Sequence, residues 1–273
     1  MKRILNYPGS KWNIASWIIE NMPDHEVYLE PYFGSGAVFF NKHASKIETI
    51  NDIDSRVVNL FQVIRDRTEE LCQAVEFTPL SREEQQKSFF DDGDDVERAR
   101  RFLVRCWQSI GAKTSDRTGW RSSISKRGVK GTEWASVPER IVAVATRLKD
   151  AQIENQSACN LIQRYNKKDV LIYADPPYPF ETRGNRHYAF EMQTKDHVEL
   201  LELLKAHKGP VILSSYENDL YNQYLDDWHK EFIVTYAEKG RERIETIYIN
   251  PIAYQSVGQM NLFEFNDYKM EKM

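Results

Sequence analysis

Apolar positions along the first 64 residues alternate between helical and strand-like spacing. Trp12, Ile14, Ala15, Ile18 and Ile19 fall on one side of a helix expected over Lys11–Glu20, which Pro23 stops. Val27–Leu29 reads as a short strand entering the turn Pro31-Tyr32-Phe33-Gly34-Ser35-Gly36, with a helix expected from Ala37 to Asn41. Ile47–Ile50 is a second strand ending at Asn51-Asp52, followed by a helix carrying Val57, Val58, Leu60, Phe61 and Ile64 on one side. Beyond residue 65 the alternation is lost until Val137–Leu148, a helical stripe of Ile141, Val142, Val144, Ala145 and Leu148. It returns with the apolar run Val170–Ala174, a polar loop from Pro179 to Met192, and a helix with Val198, Leu200, Leu201, Leu203 and Leu204. A strand at Val211–Ser214, a helix within Glu217–Trp228 and strands at Phe232–Tyr236 and Ile244–Ile249 complete the pattern. Strands separated by helices predict an α/β fold with a doubly wound, mainly parallel sheet. Ligands of such sheets bind outside the carboxyl ends of the strands, and the Gly34-Ser35-Gly36 turn, Asp52 and Asp175 all fall there.

Length changes the picture only in the middle. A chain of 273 residues is long for one domain and short for two, which fits a catalytic domain (1–64 and 159–255) carrying a mostly helical insertion (65–158) and a tail (256–273). Three cysteines without a paired motif predict neither a disulfide frame nor a metal cluster, and no apolar run approaches the length of a membrane helix. A cytoplasmic setting with no membrane partner is expected.

The net charge of −4 argues at first against a polyanionic partner. Its distribution reverses that. Ser81–Glu97 holds seven acids against two basic residues, whereas Arg98–Lys130 holds ten basic residues against one acid. The basic stretch interleaves Ser, Thr and Gly with Trp120, a composition suited to phosphate contact and base stacking. Arg105, Lys113, Arg117, Trp120, Arg121, Lys126, Arg127 and Lys130 are the expected DNA contacts there, joined by Arg183 and Arg186 in the loop after residue 179.

Three motifs carry chemistry. Gly34 and Gly36 sit between a strand and a helix, where a ligand can approach the backbone closely. Asp52 follows at the end of the next strand, near the spacing at which an acid binds a ribose hydroxyl, so the two suggest an adenosine-containing cofactor. In Asp175-Pro176-Pro177-Tyr178 the two prolines remove two N–H donors, leaving a carboxylate beside unpaired carbonyls. Such an acceptor-only site suits an exocyclic amine, and Tyr178 adds a flat face for a base.

These stretches, together with Asn6-Tyr7-Pro8-Gly9-Ser10-Lys11, Glu30–Phe39, Asn51-Asp52-Ile53-Asp54, Gly209–Tyr216 and Arg243–Pro251, resemble the ordered motifs of the Dam-type (D12 class, alpha group) DNA adenine-N6 methyltransferases. The resemblance implies the sheet of the S-adenosylmethionine-dependent methyltransferases, that methyl donor as cofactor, and double-stranded DNA as partner, with the insertion as target recognition domain. It implies that Tyr7, Lys11, Phe33, Gly34, Gly36, Asp52 and Asp175 surround the donor. Asp175, Pro176, Pro177 and Tyr178 would then receive an adenine flipped out of the duplex. An RNA adenine methyltransferase, or a catalytically silent DNA-binding protein on the same fold, are the alternatives. In the tail, Gln259-Met260-Asn261-Leu262-Phe263 resembles the peptide by which bacterial DNA-processing proteins dock on the replication sliding clamp.

Overall fold

The computed structural model describes residues 1–112, 114–122, 131–183, 188–236 and 242–257. In chain order the elements are α1 (Ala15–Glu20), β1 (Val27–Glu30), β2 (Ile47–Asn51), α2 (Ser55–Asp66), α3 (Thr68–Glu76), α4 (Arg82–Lys87), α5 (Asp95–Gln108), α6 (Gly131–Ala135), α7 (Val137–Leu148), β3 (Gln152–Glu154), α8 (Ala158–Arg164), β4 (Val170–Ala174), α9 (Phe180–Arg183), α10 (Thr194–Lys205), β5 (Val211–Ser215), α11 (Asp219–Tyr224), β6 (His229–Tyr236) and β7 (Glu242–Ile249). A single-turn 3₁₀ helix, Ile110–Ala112, follows α5.

The strands form one sheet in the order β3-β2-β1-β4-β5-β7-β6. β3, β2, β1, β4 and β5 are parallel, and β7 is antiparallel to both β5 and β6. The expected doubly wound sheet is therefore present, with a reversed hairpin on its β5 edge. Burial explains why β4 reads as an unbroken apolar run and β5 as one up to its two closing serines: every residue of both strands is buried, as in a sheet covered on two faces. The period of two then sorts their side chains. Leu171, Tyr173 and Ile212 enter the core beneath α1, α2, α3, α5 and α7, while Val170, Ile172, Ala174, Val211 and Leu213 enter the core shared with α8, α10 and α11.

Two expected helices differ. Residues 11–14 form turns, so α1 begins only at Ala15. From Ala37 to Asn41 the chain makes turns instead of a helix: Phe40 N–H bonds Gly36 O and Lys42 N–H bonds Val38 O. The buried Lys42 ammonium then pairs with Glu48, 2.6 Å away on β2, which turns the chain toward the next strand.

The middle segment shares the sheet's core. Leu71, Val75, Phe102, Val104, Trp107, Ile141, Val144 and Leu148 belong to the same cluster as Phe33 and Phe61. β3 pairs with β2 within the span 65–158, so the sheet takes up a strand before residue 159. Among the described residues, no helix is long and apolar enough to cross a membrane.

Candidate active site

A cavity of about 350 Å³ opens at the carboxyl ends of β1, β2 and β4, within the usual range for ligand pockets of about 300–1,000 Å³. Strand order reverses there: from β1 the chain goes outward to β2 and β3 on one side, and β4 lies on the other. That switch point is where an open parallel sheet leaves a crevice. Tyr7, Lys11, Phe33, Gly34, Asp52 and Asp175 all line it, so residues up to 168 positions apart in the sequence converge on one cavity.

At one end, Asp52 follows β2. Its two carboxylate oxygens accept the N–H of Gly34 at 2.8 Å and of Asp54 at 2.9 Å. Burial pushes its carboxyl up to about 6, against the two amide hydrogen bonds, which favour the charge. The Gly34 N–H can reach Asp52 because Gly34 adopts φ +50°, in the left-handed region. Two bonds leave a carboxylate with further acceptor positions, which fits a ribose diol. Gly36 is also left-handed, at φ +64°, but lies outside the cavity lining. A Cβ there would come within 2.4 Å of the Phe33 ring, so its smallness serves the packing of Phe33 and Phe40 behind the wall and not the ligand directly.

At the other end stands Asp175, where β4 breaks at Pro176-Pro177. Lys11, 5% exposed, reaches it with Nζ 3.1 Å from Oδ1, donates to Gly9 O at 2.8 Å, and lies 4.0 Å from Oε2 of Glu245. Burial pushes the Asp175 carboxyl up to about 6, with Lys11 pulling it back and Glu245 adding to the rise. Tyr178 is buried: its hydroxyl donates to Glu245 at 2.9 Å, Tyr216 meets its ring edge-on at 4.8 Å, and the Lys11 ammonium lies 4.6 Å from its centroid.

Sequence reasoning singled out no role for Glu245, Glu30, Ser10 or Ser35, and read Tyr188 only as part of a loop apt to close over a flipped base. Glu245 arrives on β7. Glu30 ends β1, accepts the Tyr28 hydroxyl at 2.7 Å and is pushed up to about 8 by burial. Tyr188 donates to Pro8 O at 3.2 Å and packs where a Gly9 side chain would have to stand. Ser10 and Ser35 join the two glycine-bearing loops at 2.8 Å between their hydroxyls. Glu30, Ser10, Ser35 and Glu245 do fall within the stretches that carry the family resemblance, which is the signal the sequence held.

The expected DNA contacts divide. Arg105 is buried on α5, donates to Thr114 O at 2.8 Å and stacks 4.9 Å from the Phe89 ring; this corrects its assignment to a phosphate-facing surface, because its guanidinium is spent inside. Arg117 is exposed, with Phe89 and Phe90 beneath it at 5.7 and 5.4 Å. Trp120 is half-buried under Arg82, and Arg121 is half-buried beside it. A bridge between Ser109 and Trp120 closes this loop, and the Gln85 amide donates to Ser109 and Thr118. Thr114 in turn accepts the N–H of Ala189 at 3.3 Å, so the loop touches a segment lining the cavity. Arg183 ends α9. Lys113, Lys126, Arg127, Lys130, Arg186 and the Gln259–Phe263 peptide lie outside the described residues.

A switch-point cavity lined by Asp52 after β2 and Asp175 after β4 places the chain among the doubly wound α/β proteins that take a ligand at their strand ends. The family model for the D12 class N6 adenine-specific DNA methyltransferases matches residues 7–243, and the chain belongs to that family. Its relatives include the DNA adenine methylase of Salmonella typhi, 24% identical over 82% of this chain and 84% of that protein. The DNA adenine methylase of Escherichia coli is 25% identical over the same shares. The type II methyltransferase M.MjaIII of Methanocaldococcus jannaschii is 22% identical over 91% of this chain and 97% of its own length. The chain is thus a DNA adenine methyltransferase that uses S-adenosylmethionine.

Proposed function

We propose that this chain methylates N6 of an adenine flipped out of double-stranded DNA, with the donor's adenosine held toward Asp52 and the target amine at Asp175. The observation that carries this reading is that both acids line one cavity, at the ends of strands β2 and β4 that flank β1. Among the described residues, seven acidic side chains line that cavity against one basic residue, Lys11, a balance that favours a cationic sulfonium. The bound donor supplies an electrophilic methyl group. The chain's own residues have to hold the amine in line with it.

Adenine N6 is a poor nucleophile because its lone pair is delocalised into the ring. Accepting both of its N–H bonds, at Asp175 and the Pro176 carbonyl, draws the nitrogen toward tetrahedral geometry and frees that pair. Positioning and fixed dipoles then contribute most of the rate. Pro177 lines the cavity beside Asp175, and Tyr178, buried just behind that lining, is assigned the face for the base. Flipping costs a few kcal/mol, to be met by contacts to the duplex. We assign those to the surface carrying Arg117, Trp120 and Arg121, together with Arg183 and Arg186 of the loop after residue 179. The segment 65–158 is read as the target recognition region built onto the sheet's core, and Gln259–Phe263 as a candidate clamp-docking peptide. Incubating the protein with labelled S-adenosylmethionine and either duplex DNA or RNA, then identifying the modified nucleoside by mass spectrometry, tests the reading. N6-methyladenine is expected in duplex DNA alone; preferential labelling of RNA, or of cytosine, would sink it.

A further inference from the structure

Glu245 touches two groups of the amine end, yet the roles above leave it idle. It reaches them because β7 runs against the other strands. A parallel strand arrives at the carboxyl edge with its last residue, whereas β7 passes that edge in its first half. The register sets Thr246 opposite Ser215 and Ile247 opposite Ser214, so Glu245 stands one step beyond the end of β5. There its Oε2 accepts the Tyr178 hydroxyl at 2.9 Å and lies 4.0 Å from the Lys11 ammonium, which is itself 3.1 Å from Asp175. The Glu245 side chain is 14% exposed and Lys11 only 5%, so little solvent competes with these contacts.

We propose that Glu245 is a positioning residue for methyl transfer: it fixes the plane of Tyr178 through the hydroxyl and shares the Lys11 ammonium, leaving Asp175 an oxygen for the incoming amine. This rests on the assignment of Asp175 and Tyr178 to that amine. Without the second carboxylate, the buried ammonium has Asp175 as its only charged acceptor in this cluster and covers the oxygen the amine needs. Tyr178 also loses its Glu245 acceptor, and its hydroxyl falls back on its bond to Asp175, where it competes with the amine for that carboxylate.

The groups facing Asp175 are Lys11, Glu30 of β1, Tyr173 of β4, Tyr178, Tyr221 of α11 and Glu245 of β7. Of these, Lys11 and the Tyr178 hydroxyl, which hydrogen-bonds it, favour its charge and Glu245 opposes it. Removing the Glu245 charge therefore lowers the pH at which Asp175 takes up a proton.

Single-turnover methyl transfer at saturating donor and duplex, followed from pH 5 to 9, separates the possibilities. Glu245→Ala is expected to slow transfer about tenfold to a hundredfold, as small misplacements of reacting groups do, with donor and duplex Kd within about twofold of the parent. Glu245→Gln keeps an acceptor for Tyr178 and should recover most of that loss, while its acid limb moves to lower pH. A Glu245→Ala enzyme with the parent's rate and pH profile overturns the proposal. So does a loss that is equal in both variants, tracks their melting temperatures and leaves the acid limb in place. Asp175→Ala, run alongside, tells the two layers apart: if it transfers methyl groups at the parent's rate, the underlying assignment fails first.

Discussion

Between Ser81 and Arg121, charges that are neighbours in the sequence meet one another in space; in the cavity, charges from three distant stretches meet. Arg98 pairs with Asp95, Arg101 with Asp92 and Glu97, and Arg100 with Glu84 and Glu97 at 2.7 and 2.6 Å. The acidic run thus neutralises the first part of the basic run, and Arg105 is buried as well. What faces outward is the loop holding Arg117 and Arg121. Lys11, Asp175 and Glu245, by contrast, form a cluster that no count along the chain registers. A run of one sign is largely spent on the fold when an opposite run adjoins it, and functional charge collects where strands end.

This contrast can be broken at several points. The largest effect is expected at Asp175, whose replacement by Ala removes the amine acceptor and should lower transfer by about a hundredfold to a thousandfold, the range seen when a preorganised polar contact is lost. Next comes Asp52→Ala. Losing a charged hydrogen-bond partner costs about 1.5–3 kcal/mol, so the donor Kd measured by calorimetry should rise about tenfold to a hundredfold with the duplex Kd unchanged. Equal weakening of both would blur the two ends of the cavity into one.

Glu30 sharpens the comparison through stability. Its folded carboxyl stands at about 8 against an ordinary 4.5, so the folded state binds the proton more tightly than the unfolded one. Stability from this group is greatest below pH 4.5 and falls as pH rises toward 8. Glu30→Gln should therefore melt higher than the parent at pH 8–9, by a free energy on the order of a few kcal/mol, with the curves converging toward pH 5. A constant offset across pH would refute the burial argument. The smallest effects are expected in the middle segment. Arg117→Ala should reduce the slope of log affinity against log salt by about 1. Arg100→Ala should leave that slope alone and lower the melting temperature instead, because Arg100 is engaged internally.

The strand ends were legible because fully buried strands write themselves as apolar runs: Val170–Ala174 is β4 residue for residue. β3 escaped notice since it has three residues, two of them Gln152 and Glu154, and is held only by pairing with β2. The helix expected from Ala37 failed because an apolar stretch of five residues cannot distinguish a helix from packed turns. At the site, Asp52 and Asp175 were readable because they end strands beside glycines and prolines. Glu245 was not, since its place depends on β7 running backward between β5 and β6. Nor could the sequence tell that Gly36 packs against Phe33, a contact made only once the turn is closed.

The most direct test crosses the two regions in one experiment, measuring duplex affinity and single-turnover methyl transfer for Asp175→Ala and Arg117→Ala together. The account predicts a crossed outcome: Asp175→Ala loses transfer and keeps duplex affinity, while Arg117→Ala loses affinity and keeps the saturating rate. If the two properties fall together in both variants, binding and chemistry are not divided as described.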